Sequence, residues 1–180
     1  MMKYCDQCGS DKIEKIIPEG DNRPRLVCKN CGTIHYRNPK IVAGVLPIYG
    51  DKVLLCKRSI EPCVGKWNVP SGYLENKESV EEGAAREVWE EALGKVEIIG
   101  THSIYSIARI SQVYIHFLGN LIDGEFGVGE ESLDCQLFSE EEIPWDEIAF
   151  TSSTFTLKRY FADRKAGLMQ THLGNYPEIE

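Results

Sequence analysis

The rhythm of apolar and polar positions changes near residue 39. Upstream, apolar residues come in short bursts between cysteines and charges. Downstream, long apolar runs begin. "KIVAGVLPIYGDKVLLCKR" predicts two strands around a turn at Gly50-Asp51, and "GKWNVPSG" a short strand running into a turn. Residues 79–93 change to helical spacing, with Val80, Ala84, Val88 and Ala92 recurring every fourth position on one face. Ser79 followed three residues later by Glu82 forms a capping box at the start, and Gly94 fits just past the end. "KVEIIGTHSIYSI" and "SQVYIHFLGNLI" predict further strands, and "CQLFS" a short one. "SSTFTLKRYFADRKAG" has helical spacing at Phe155, Leu157 and Phe161 and stops at Gly167. Strands with two or three helices predict an α+β domain whose mixed sheet is covered on both faces.

The upstream segment carries a repeat, "CDQCGS" and "CKNCGT", with nineteen residues between Cys8 and Cys28. Two C-x-x-C-G knuckles at this spacing predict a zinc ribbon, with Cys5, Cys8, Cys28 and Cys31 as four thiolate ligands of a structural Zn²⁺. Four cysteines close the coordination shell and leave no position for water. A unit this small has too little core to fold alone, so the metal would supply folding energy. The competing interpretation is two unrelated, redox-active pairs. His35 lies nearby in sequence and is expected at the surface. The predicted domains are therefore a ribbon over 1–38 and an α+β domain over 39–180.

The helix at 79–93 has a second stripe: Gly83, Glu87 and Glu91, with Glu90 beside it. Like charges within one turn repel. A glycine inside a helix costs about 1 kcal/mol relative to alanine. A divalent hard cation among the carboxylates, Mg²⁺ or Mn²⁺, resolves the first problem. The second is resolved if the missing side chain leaves room for an anion bridged to that metal. Arg86 either pairs with Glu90 four residues on or reaches back to Glu78. The plainer interpretation is an exposed acidic face.

Charge sharpens this picture. The net charge is −8. Residues 1–40 hold eight Lys/Arg against five Asp/Glu, which is +3; the remainder holds twelve against twenty-three, which is −11. So acidic a body repels a bare phosphate backbone and accepts a small anion only with a cation between them, which argues against nucleic acid as a partner. An apolar content of 42% is ordinary for a globular chain, and no uncharged apolar run approaches a membrane span. The start, "MMKYCDQCGSDK", has no apolar signal core, and seven cysteines accompany it. A reduced, cytoplasmic protein is the expectation.

The stretch from Gly72 through Glu78 to "REVWEE" at 86–91 resembles the Nudix box, G-x5-E-x7-R-E-U-x-E-E-x-G-U, where U is aliphatic. The resemblance covers about residues 40–165. One departure is plain: the box ends in glycine then an aliphatic residue, whereas here Leu93 precedes Gly94. The swap predicts a helix exit one residue late. The resemblance implies an α/β/α sandwich and divalent-metal-dependent hydrolysis of a nucleoside diphosphate linked to another group. By the same resemblance, Glu87, Glu91 and Glu90 match metal-binding positions, as does the backbone carbonyl of Ser71. Glu78 and Arg86 match an orienting pair. A further carboxylate from a later loop is often used, and "GVGEESLD" offers Glu130, Glu131 and Asp134, of which Glu131 is favoured. A homodimer is expected on resemblance alone.

A zinc ribbon before a Nudix domain resembles two groups. NADH pyrophosphatases carry a signature after the box that reads like S-Q-P-W-P-F-P, which is missing here. A group of FAD and ADP-ribose pyrophosphatases shares "NPKIVAGVL", "VLLCKR", "GKWNVPSGYLE" and "GEESLDCQLFSEEEIPWDEIAF". The expected substrate is therefore a small dinucleotide, FAD or ADP-ribose, giving AMP, with NADH as the alternative. Tyr73, Trp89, Tyr105 and Tyr114 are candidate stacking surfaces for its rings, although aromatics near a sheet are more often core. Residues 100–118 and the 124–134 loop are expected to wall the cleft. A reading of another class is an inactive nucleotide sensor or nucleic-acid-binding module, to which the ribbon's +3 gives some weight. Degenerate domains of this kind usually lose box carboxylates, and none is missing.

Overall fold

The structure, a computed structural model, describes residues 2–177. The chain divides into two compact units, 1–38 and 39–180. In the first, β1 (Ile13–Ile16), β2 (Arg25–Cys28) and β3 (Ile34–His35) form a three-stranded antiparallel sheet. Each C-x-x-C pair closes the same turn. The Gly9 N–H donates to the Cys5 carbonyl and the Gly32 N–H to the Cys28 carbonyl, both at 2.8 Å. These glycines sit at φ 71° and 74°, where a side chain would be strained. His35 corrects an expectation. It is buried, with Nδ1 3.4 Å from an Asp6 carboxylate oxygen, because β3 pairs with β2.

In the second unit β4 (Lys40–Tyr49) and β5 (Lys52–Arg58) pair around Gly50 as expected. They join β6 (Trp67–Asn68), β7 (Ser71–Tyr73), β8 (Val96–Ile107), β9 (Gln112–Leu121), β10 (Ser132–Phe138) and β11 (His172–Asn175) in one sheet. Its order is β10-β5-β4-β9-β8-β11, with β6 on β5 and β7 on β4. The β4–β9 and β8–β11 pairs are parallel and the others antiparallel, so the sheet is mixed.

The β4 strand explains why its sequence is an unbroken apolar run. Ala43 and Val45 pack with Ala84 and Val88 of α1 (Val80–Ala92) on one face. Leu46 packs with Leu157 and Phe161 of α2 (Thr151–Ala166) on the other. A strand buried on both faces has no polar side to alternate with. Each fully buried leucine contributes about 1.5–3 kcal/mol. Among the described residues, no helix is long and apolar enough to cross a membrane.

Three features depart from the sequence pattern. The last antiparallel strand begins at Ser132, three residues before "CQLFS". Strands β7 and β11 were not anticipated; both are short, and β11 pairs parallel with β8, far away in sequence. The exit of α1 is not late. The helix ends at Ala92, and Leu93 itself takes the left-handed conformation at φ 50°, its N–H bonded to the Trp89 carbonyl at 2.9 Å. Leu93 thus fills the conformation that glycine holds in the box motif. At Gly94 a Cβ would stand 3.0 Å from the Leu121 side chain, a tight contact.

Candidate active site

The capping box of Ser79 and Glu82 starts α1, with Ser79 N–H to Glu82 at 2.7 Å and Glu82 N–H to Ser79 at 3.2 Å. From that start the helix presents Arg86, Glu87, Glu90 and Glu91 to a cavity of about 680 Å³. Arg86 serves both partners that the sequence left open, and a third. Its Nε and one terminal nitrogen grip Glu78 at 3.0 and 2.8 Å. The other terminal nitrogen donates to Glu87 at 2.7 Å and to Glu90 at 2.9 Å. A bond of 3.2 Å to the Tyr73 carbonyl ties this fork to β7. The Arg86 guanidinium pulls the Glu78 carboxyl down to about 2. One planar cation thus holds three carboxylates in register.

The remaining carboxylate has no such partner. Glu91 is buried, and its oxygen accepts one bond, from the Ser71 N–H at 3.2 Å. Burial pushes its carboxyl up to about 8, and burial also raises Glu87. An acid that would stay protonated at neutral pH, beside two other carboxylates, fits a site completed by a cation. Glu87, Glu90, Glu91 and Ser71 all line the cavity, and the donor set is oxygen-only, which suits Mg²⁺ or Mn²⁺. The four ribbon sulfurs lie within 4.8 Å of one another, which fits tetrahedral zinc.

Two glycines make this arrangement possible. A Cβ on Gly72 would fall on the Glu87 carboxylate, so a side chain there would push that carboxylate out of its place. A Cβ on Gly83 would stand 2.7 Å from both Glu78 and Leu74. Gly83 therefore clears space for Glu78 and Leu74, and not for an anion as the sequence suggested. Gly83→Ala is expected to destabilise the fold by about 1–3 kcal/mol, because overpacking outweighs the gain in helix propensity of about 1 kcal/mol. Urea denaturation would measure it, and a more stable variant would contradict this role.

The acidic loop after β9 is also built into the site. Its Gly127 and Gly129 N–H groups donate to the Ala92 and Glu91 carbonyls at 2.6 and 3.0 Å, capping the end of α1. That contact brings Glu131 into the cavity wall. Tyr73 and Tyr114 also line it, bridged by Gln112 at 2.7 and 2.9 Å. Tyr105 does not: it is buried in the core beside Phe155, ring centroids 5.1 Å apart. Trp89 is half exposed and lies outside the lining. Arg109 lines the cavity from within the 100–118 segment expected to wall it, whereas sequence reasoning missed Arg58, Phe150 and Tyr176, which also line it. Isolated residues at strand and helix ends carry no spacing signal.

Without a cation, the Glu91 carboxyl makes stability pH-dependent. Its folded value of about 8 exceeds the ordinary 4.5. The unfolded chain loses this proton first, so stability present below the ordinary value is lost as pH rises toward about 8. In a chelator, the protein should lose a few kcal/mol across that window. Glu91→Gln should flatten most of the slope. Denaturant titrations at several pH values check this, and an equal slope in both proteins would contradict it.

A Nudix N-terminal family (zinc ribbon) model matches residues 3–37, and a NUDIX domain model matches residues 38–158. A crystal structure of a NUDIX hydrolase from Nitrosomonas europaea is 48% identical, with a TM-score of 0.94 over 98% of this chain and 100% of that one. An ADP-ribose pyrophosphatase of Methanocaldococcus jannaschii is 27% identical over 80% of this chain and 89% of its own length. A NAD-capped RNA hydrolase NudC of Vibrio parahaemolyticus is 28% identical over 79% of this chain. The chain spans about half the length of that relative, 53%. With the box carboxylates gathered at one cavity and the domain model matched across most of the chain, this protein belongs to the NUDIX family and is a Nudix hydrolase.

Proposed function

We propose that the chain hydrolyses the pyrophosphate of a nucleotide joined to a second group, ADP-ribose or FAD, and releases AMP. The observation that carries this reading is the buried, cation-poor carboxylate Glu91 beside Glu87 and Glu90 in a cavity large enough for a dinucleotide. Glu87, Glu90, Glu91 and the Ser71 carbonyl would hold Mg²⁺ or Mn²⁺. Such an ion supplies neutralising charge to the pyrophosphate and lowers the pKa of water.

The chain's own groups do the rest. Arg86 keeps the carboxylates in register. Arg58 and Arg109 bring positive charge to a cleft that is otherwise acidic, which favours a diphosphate. Glu131 takes the proton from the attacking water as its oxygen bonds to phosphorus and the bridging P–O bond breaks. Tyr73 and Tyr114 offer ring faces to a base or flavin. Cys5, Cys8, Cys28 and Cys31 bind structural Zn²⁺. A cytoplasmic homodimer belongs to the same reading.

ADP-ribose is supported by the archaeal relative, 89% of whose length this chain spans. A second reading, a NADH-type dinucleotide, has support from the NudC relative. Against it stands the missing signature after the box. The test is kcat/KM for ADP-ribose, FAD, NADH and a capped RNA under one Mg²⁺ condition. ADP-ribose or FAD should exceed NADH at least tenfold, about 1.4 kcal/mol in transition-state binding. NADH ahead of both by tenfold would overturn the substrate choice.

A further inference from the structure

We propose that His102, Asp163 and His172 form a second transition-metal site, of the zinc class, which anchors the C-terminal strand. The three residues come from β8, the last turns of α2 and β11. One ligand atom from each lies within 4.8 Å of the others. Two nitrogens and a carboxylate oxygen are a donor set that zinc and its borderline neighbours accept.

A plain hydrogen-bonded pair accounts for only two of the three. His172 Nε2 lies 2.7 Å from one Asp163 oxygen, and the Gln170 amide donates to the other at 3.1 Å. His102 is what that account leaves over. It is 1% exposed, and its Nε2 lies 3.2 Å from the Thr156 carbonyl. A carbonyl only accepts, so Nε2 carries the proton in this contact. Nδ1 is then the lone-pair atom of a neutral ring; the Gln170 backbone carbonyl lies near this ring, but Nδ1 makes no hydrogen bond among the described residues. A ring whose second nitrogen is fixed by a backbone carbonyl is how proteins commonly orient a metal-binding histidine. A buried acceptor left bare is costly, and an ion would offset that cost.

The site bears on the cleft through β11. This strand pairs with β8 from His172↔Ser103 to Asn175↔Ser106. The next residue, Tyr176, donates its N–H to the Ser106 carbonyl at 2.8 Å, and the Arg109 guanidinium lies 4.5 Å above its ring. Tyr176 and Arg109 both line the cavity. An ion on His172 would therefore hold one wall of the cleft in place.

The test is metal content of the full chain after loading with Zn²⁺ in excess Mg²⁺ and removal of free ions. The parent should retain one more equivalent of zinc per chain than His172→Ala or Asp163→Asn. His172 is partly exposed, and Asp163→Asn preserves shape, so the two variants guard against a folding failure in either. Loading with Co²⁺ identifies the ligands: the parent-minus-variant spectrum should lack a thiolate charge-transfer band. Equal metal content in parent and both variants would overturn the proposal. So would a difference spectrum dominated by thiolate, which would assign the lost ion to the ribbon.

Discussion

Glu91→Gln should lower turnover at least ~10²-fold at saturating Mg²⁺ while leaving the fold intact. The amide keeps the size of the side chain and can still accept the Ser71 N–H bond of 3.2 Å. What it removes is the charge that a divalent ion requires. Because Glu91 is buried with no cation beside it, the variant should be no less stable than the parent in a chelator. Loss of activity without loss of stability is the signature of a ligand, and would separate it from a packing role. Glu87→Gln should lose a similar amount of turnover, but it also loses charge opposite Arg86, 2.7 Å away, so some loss of stability is expected with it. Near-normal turnover by Glu91→Gln would rule out the ligand role.

The second large effect concerns the ribbon. Removing zinc, or changing Cys8 to Ser, should unfold residues 1–38 while the 39–180 unit keeps its structure. The first unit has two of its four cysteines exposed and a sheet of only ten paired-strand residues, four, four and two. Its apolar burial is slight, whereas structural zinc supplies about 10–16 kcal/mol in small domains of this kind. The Cys31 thiol, drawn down to about 6 first by its bond to Thr33, is ready to bind as thiolate. Metal analysis should give zinc that falls on Cys8→Ser, and amide exchange should show protection lost across the ribbon alone. Full protection and full zinc content in the variant would sink the assignment.

Most of the architecture was legible because it rests on burial with a clear period. The Val80–Ala92 stripe, the β4–β5 pair and the end of α2 at Gly167 are local signals, and each falls where the pattern put it. What escaped is non-local. Strand β11 is stabilised by a partner some seventy positions earlier in the chain, His172 with Ser103. The buried face of α2 is partly polar: Ser153 bonds Asn68 at 2.6 Å, and Thr156 lies 2.7 Å from both Ser103 and His116. The apolar spacing at Phe155, Leu157 and Phe161 marks the helix, and nothing in it announces these polar contacts.

The carboxylate stripe on α1 could be read from spacing, since like charges within one turn need a reason. The purpose of Gly83 could not, because it depends on where Glu78 and Leu74 fall in space. The acidic loop was expected at the cleft, and Glu131 does line it; how the loop is held there could not be read, because Gly127 and Gly129 use backbone N–H groups to cap α1, and composition does not encode a backbone bond.

The most direct measurement is AMP release from ADP-ribose and from FAD by the purified protein, with Mg²⁺ and with a chelator, run beside Glu91→Gln. A Mg²⁺-dependent pyrophosphohydrolase should release AMP from at least one of them, only with the cation and with the native glutamate. AMP release that is unchanged by the chelator, or equal in the variant, would contradict the account.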